Sequence, residues 1–368
     1  MNIYFILRLV IGCILPCLIA FMYWATAPIN NTTLRRSNNT LVISLYCIIV
    51  LLLAFTPSTY FDGTDKGRYM YEFDKILSTN VDTLSKDIGW FYFVKICHYI
   101  TFGTNQLFFI ITAVVFAGSF YYFAKKHFGI KYSGYFLLLT VGMLGFSSYT
   151  NNVIRNGVAV ACCVYAFAIE NKYLRILLPT VAYFIHGSTL ILIASYLASL
   201  LLKTTKWPTL FWVFCLVLSF SHIDFAQFFQ NLGMLDERVM EYTGEADADT
   251  LALYKKAGMF RWDFLIYSMF PIYVARLWVT KYKYKELFYI RIVNTYLLCN
   301  ALWLLLIRQA YCDRFAFLSW LMIPIVTLYP ILKQQIIVRN PEKKSYLFIT
   351  IITGVNAILA LLEILKKI

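Results

Sequence analysis

The sequence predicts an all-α polytopic integral membrane protein. It reads as a single transmembrane domain over residues 1–368, with about twelve helical spans and two large extracytoplasmic loops, 58–88 and 223–261. Three observations carry this. Hydrophobic residues make up 60% of the chain and charged ones only 14%, with a mean hydropathy of +0.66, which leaves a soluble domain too little polar surface to cover itself. Apolar stretches of ~20 residues recur, the length needed to cross about 30 Å of hydrocarbon. Aromatic residues reach 18%, with 28 Tyr and 31 Phe, and tyrosine and tryptophan suit the membrane–water interface.

The first run, Ile3–Trp24, is too long for the core of a signal peptide. It ends in Ala25-Thr26-Ala27, which looks like a cleavage site, but Pro28 follows directly and no basic segment precedes it, so it reads as a retained helix. Further spans read as 41–57, 105–124, 132–149, 153–169, 172–186, 188–202, 208–222, 262–279, 288–307, 314–332 and 346–365. The stretch 89–103, opening Gly89-Trp90-Phe91, is aromatic and amphipathic; it lies on the membrane surface or extends the third span. Almost all of the nine cysteines sit inside apolar runs, and neither a disulfide framework nor a metal-ligand spacing emerges, so they read as small packing residues and no metal or cofactor is expected.

Short connectors give the orientation. Those holding Arg35/Arg36, Lys125/Lys126/Lys131, Lys172/Arg175, Lys203/Lys206, Arg276/Lys281/Lys283/Lys285/Arg291 and Lys333/Arg339/Lys343/Lys344 alternate so as to share one face. They hold 18 of the 33 Lys+Arg but only 3 of the 19 acids, Glu170, Glu286 and Glu342, so that face carries +15 and the remainder −1. By the positive-inside rule it is cytoplasmic. The basic balance is therefore a topology signature, and no single basic face exists for a nucleic-acid partner. The acidic loops fall outside, with six acids in 58–88 and seven in 223–261 (Asp224, Asp236, Glu237, Glu241, Glu245, Asp247, Asp249). Both termini also land outside, against which Lys366-Lys367 is a poor fit. Asn31-Thr32-Thr33 and Asn38-Asn39-Thr40 match a glycosylation sequon on the cytoplasmic side, where the match is fortuitous.

Against that frame several residues stand out. Arg155 lies at the outer mouth of a span, where this chain keeps few cations. An arginine snorkelling to headgroups belongs on the cytoplasmic face, so an outward one calls for an anionic partner. Ala159 and Cys162 or Cys163 follow on one face and let a neighbouring helix approach, which turns Arg155 inward. In "YFIHGSTLILI", residues 183–193, the chain leaves the cytoplasm after Lys172 and is back by Lys203, so each leg has only about 15 residues where ~20 are needed. The turn at His186-Gly187 must then sit below the outer surface and line protein or a watery cavity. In the first loop, "FDGTDKGRYMYEFDKI", Asp62, Gly63 and Asp65 form a turn and a short helix follows from Gly67. Tyr69 and Phe73 share one of its faces, which suggests docking onto the bundle, and Arg68 pairs with Glu72. In "LLLIRQAYCDRFAFLSW", residues 304–320, a hairpin of a few residues places Arg308, Asp313 and Arg314 outside. Guanidinium is the preferred grip for phosphate, because its planar fork binds oxygens bidentately and never deprotonates.

The motifs Gly63-Thr64-Asp65-x-x-x-Tyr69-x-x-x-Phe73, Ile154-Arg155-Asn156-Gly157-x-Ala159 and Phe184-x-His186-x-Ser188, with the later Arg314-Phe315-x-Phe317, resemble the EpsG-like branch of bacterial Wzy-type polysaccharide polymerases. The resemblance is firmest over residues 55–195. It implies a multi-pass enzyme of the bacterial inner membrane that joins polyprenyl-diphosphate-linked oligosaccharide repeat units on the outer face. Its partners would be that lipid-linked glycan, the membrane lipid, a chain-length regulator and a flippase. The chemistry implied needs cations where the leaving diphosphate develops charge and a base for the acceptor hydroxyl. Arg155 and Arg314 suit the diphosphate with Arg308 in support, His186 or Asp65 the proton, and Arg68 and Tyr69 the sugar; 223–261 is long enough to serve as a lid. Rival readings are a polyprenyl-phosphate-sugar glycosyltransferase or ligase, using Asp62/Asp65 or the acids at 245–249 to hold a metal; a flippase for the same lipid, against which no inverted repeat is found; and an acyltransferase with an intramembrane histidine.

Overall fold

The computed structural model describes residues 9–25, 32–56, 65–79, 87–221, 223, 225, 228–229, 259–309, 312–333 and 340–365. Asp62, Gly63 and Thr64, most of the 223–261 loop with its seven acids, and Lys366-Lys367 lie outside them. Every element among the described residues is helical. The chain divides into two compact units, Met1–His186 with Leu328–Ile368, and Gly187–Thr327.

In the first unit a π-turn, Val10–Ile14, runs into α1 (Leu15–Ala25), followed by α2 (Thr32–Ala54), α3 (Asp65–Lys75), α4 (Ile88–Ile100) and α5 (Asn105–Gly142). Then come α6 (Phe146–Asn151), α7 (Ile154–Ala168) and α8 (Lys172–Ile185). The helical segment α5 is the centre, with α2 and α7 packed along it and α8 on α7. It is broken at Gly129, whose φ of 66° and ψ of 177° no ordinary side chain favours. Phe123 stacks on Phe136 across the break at 5.5 Å, so the two arms fold back on one another. These arms are the predicted spans 105–124 and 132–149. The second stops early, at Gly142, and the chain turns before α6.

The second unit holds α9 (Thr189–Leu200), α10 (Lys206–Leu218), α11 (Trp262–Arg276) with a π-turn at Leu277–Lys281, α12 (Leu287–Leu304) and α13 (Cys312–Trp320). Here α12 is central, packed by α9, α10 and α13. A neutral polar network links these helices. The side-chain oxygen of Asn300 accepts from Trp212 Nε1 at 2.8 Å, and its amide donates to Ser268 Oγ (3.2 Å) and Ser319 Oγ (3.0 Å). Trp320 Nε1 donates to Ser268 Oγ at 2.8 Å and Tyr296 Oη to the Ser268 carbonyl at 2.9 Å. Helix α14 (Ile323–Leu332) carries the boundary between the units, and α15 (Pro341–Leu365) closes the first.

Among the described residues, four helices are long and apolar enough to cross a membrane: Asn105–Gly129, Leu287–Leu304, Cys312–Leu332 and Lys343–Leu362. The count of about twelve spans is not reached. The other apolar runs do form helices, but short ones of 10–17 residues. The physical reason is visible at His186, where α8 ends after 14 residues; α9, which starts at Thr189, has only 12. In each unit two of the connectors expected to carry the basic residues come together. Lys126 pairs with Glu170 at 2.7 Å in the first, and the Asn294 amide donates to the Leu202 and Thr204 carbonyls at 3.2 Å in the second.

Candidate active site

Three helix ends converge in the first unit. Helix α7 restarts right after α6, and a side chain at Gly157 would come within 2.7 Å of the Tyr149 carbonyl oxygen, so this glycine lets the two helices touch. Arg155 stands in the first turn of α7. A cation there faces the positive end of the helix dipole, an unfavourable place unless an anion is close. Helix α8 ends at Ile185, and His186 leaves it with extended backbone (φ −157°, ψ 115°) while its N–H still bonds the Ala182 carbonyl at 2.9 Å.

The third end is the start of α4. A Cβ at Gly89 would lie 2.8–2.9 Å from the backbone of Phe184 and Ile185, so only glycine lets this end rest on the last turn of α8. Two residues earlier, Asp87 takes a left-handed backbone (φ 64°, ψ 37°). Its Oδ2 lies 2.7 Å from Arg155 Nη1 and 3.8 Å from His186 Nδ1. The three side chains are 12–18% exposed, shielded without being sealed. The sequence reading brought out Arg155 and His186 and missed Asp87. The anion it asked for beside Arg155 is, in the first place, this carboxylate.

The other predicted residues fall elsewhere. Asp65 begins α3, where Arg68 lies 3.8 Å from it and 3.4 Å from Glu72. Burial works against the Arg68 charge, but Tyr69, Asp65 and Glu72 outweigh it and raise its pKa. Tyr69 is only 4% exposed and meets Trp90 edge-on at 5.4 Å, and Phe73 stacks on Phe108 at 4.7 Å. The expected aromatic docking of α3 is therefore present. The corollary is that the Tyr69 ring, expected to hold sugar, is a packing surface, because the same burial that docks the helix removes the ring from solvent.

Lys66, overlooked in the sequence, is buried and donates to the Ala54 and Thr56 carbonyls at 2.8 and 2.7 Å, capping the C-terminal end of α2. In the second unit Arg308 donates through Nε to the Ser219 carbonyl at 3.3 Å and covers the Phe260 ring at 5.3 Å. Arg314 lies in the first turn of α13 beside Asp313. Among the described residues no three His, Cys, Asp or Glu side chains gather as a metal site would require. Asp62 and the acids at 245–249 lie outside them.

Four membrane-capable helices, together with an arginine, an aspartate and a histidine gathered at the ends of the shorter helices α7, α4 and α8, define a helical membrane protein that carries a polar site. The chain belongs to the EpsG family, whose model matches residues 42–362 and so takes in both units. Membership points to a polysaccharide-polymerase-like role acting on lipid-linked sugars in a membrane. Comparison with curated proteins and with solved structures gives no match.

Proposed function

We propose that the chain joins polyprenyl-diphosphate-linked oligosaccharide repeat units into O-antigen, capsule or exopolysaccharide at the outer face of the bacterial inner membrane. The observation that carries this reading is Arg155, held among three helix ends against the local dipole and facing an anion. A guanidinium has five N–H donors, more than one carboxylate can occupy, so Arg155 can take diphosphate oxygens beside Asp87.

In the reaction the acceptor hydroxyl oxygen attacks the anomeric carbon of the donor glycan. A glycosidic C–O bond forms and the bond from that carbon to the diphosphate oxygen breaks, its electron pair staying with polyprenyl diphosphate. The hydroxyl proton passes to a base, for which His186 is the first candidate and Asp65 the second. Arg155 stabilises the charge that builds on the diphosphate. Arg68 on α3 serves the glycan, and Arg314 and Arg308 in the second unit are further candidates for phosphate or sugar, each to be tested by its own substitution.

The test is the glycan ladder of a deletion strain carrying variants of this chain. Arg155→Lys, at normal protein level, is expected to fail nearly as badly as Arg155→Ala, because a point charge cannot reproduce the bidentate fork. A full ladder from Arg155→Lys refutes the assignment. Accumulated single repeats on the outer leaflet mark a polymerase, whereas repeats trapped on the inner leaflet mark a flippase. Location is tested with single cysteines at Ser85 and Thr250 in a cysteine-free background: an impermeant thiol reagent should label both in whole cells, and labelling only after lysis overturns the outward placement.

A further inference from the structure

Asp87 has an unusual position for an aspartate that begins a helix. In front of α4 it stands where an aspartate ordinarily caps the free backbone N–H groups, yet its carboxylate makes no such cap. It also holds the left-handed conformation, which costs most residues and which asparagine, aspartate and glycine tolerate best. The carboxylate is directed instead at Arg155 and His186, and the glycine two residues on presses this end of α4 against the backbone just before His186. Backbone and side chain both give up their local preferences to bring one carboxylate to two groups far apart in sequence. A carboxylate that served only to neutralise Arg155 would not need to stand beside the histidine ring as well.

We propose that Asp87 is a positioning residue: it aims the Arg155 fork and fixes the His186 ring with its proton on Nδ1, leaving Nε2 as the atom that receives the acceptor hydroxyl proton. This rests on the polymerase reading of the site. The 3.8 Å separation of Oδ2 and Nδ1 exceeds a hydrogen bond, and sites without substrate commonly hold such contacts long and close them when it binds. Aspartate behind histidine selects the tautomer and supports the cation that forms as the proton arrives, without itself taking the proton.

Asp87→Asn keeps the size and the left-handed backbone and removes the charge. Asp87→Gly also fits that backbone and removes the side chain. In the deletion strain both are expected to lower polymer at least about tenfold at normal protein level. The readout that a merely structural role would not move is the nitrogen spectrum of the full-length protein, labelled with 15N-histidine in lipid nanodiscs. The chain has 4 histidines, and His186→Gln assigns the resonances in question. In the parent, neutral His186 should carry its proton on Nδ1; in Asp87→Asn and Asp87→Gly that preference should vanish. A normal ladder from both variants, or a lost ladder with unchanged His186 resonances, overturns the proposal. Normal ladders from both Arg155→Lys and His186→Gln overturn the polymerase reading of the site instead, while the nitrogen shifts still decide whether Asp87 governs the ring.

Discussion

Two regions, one in each unit, bury polar groups in opposite ways. In Gly187–Thr327 the group around Asn300 is neutral: two tryptophans, a tyrosine, two serines and an amide exchange hydrogen bonds of 2.8–3.2 Å. Such a network specifies which helices pack and in what register, and has nothing to offer a charged ligand. In the first unit Asp87, Arg155 and His186 are charged or chargeable and partly open, and one residue after Arg155 the side-chain oxygen of buried Asn156 takes no hydrogen bond among the described residues. Buried polar groups are normally satisfied, so a charged group assembled against a helix dipole, with an idle acceptor one residue on in the sequence, marks a place kept for something else. Burial alone does not separate the two regions; charge and the completeness of bonding do.

That contrast can be broken by mutation. Arg155→Ala should have the largest effect, lowering polymer about a hundred- to a thousandfold, the usual loss when one preorganised charge-stabilising donor is removed. His186→Gln should follow, with about a hundredfold loss in ladder intensity and unchanged protein level, since positioned acid–base groups contribute about 10²–10⁴-fold. If His186→Gln makes normal polymer and Asp65→Asn makes none, the base lies on α3 and His186 returns to packing. Asn300→Ala should do the reverse: a cost of about 2–4 kcal/mol from orphaned partners, read as less folded protein and a lower unfolding temperature, with polymer per folded molecule preserved. Loss of specific activity without loss of stability would erase the distinction between the regions. Arg68→Ala should be the mildest for stability, about 0.3–0.5 kcal/mol, because the Arg68–Glu72 pair is about one-third exposed. A change confined to the acceptor KM would show Arg68 working on the glycan.

Much of this was legible in the sequence. The helical class followed from apolar runs, and the docked face of α3 from the spacing of Tyr69 and Phe73. Arg155 and His186 stood out because each violated a membrane rule, one by its side and one by its depth. Asp87 violated none, being one of six acids in a loop. Its role depends on a left-handed turn and a backbone contact at Gly89, neither of which a linear pattern displays. The signal available was Asp87-x-Gly89 at the head of the aromatic stretch. The count of about twelve spans is not confirmed among the described residues for a related reason: hydropathy reports how long a run is apolar, not where its backbone breaks, and the run 132–149 is interrupted after Gly142.

The shortness of α8 reaches beyond the site. Its 14 residues make a rod of about 21 Å, against a hydrocarbon core of about 30 Å. Tyr173, Ile176, Leu177 and Phe184 are all exposed on it, an apolar face suited to lipid chains rather than water. A bilayer spanned by that rod would thin locally, at a cost of fractions of a kcal/mol per Å of mismatch. A polyprenyl lipid entering the dimple would find its headgroup lowered toward His186 without leaving the leaflet. Membrane thickness should then matter to the protein: longer acyl chains around it should raise the energy of the dimple, and shorter ones relieve it.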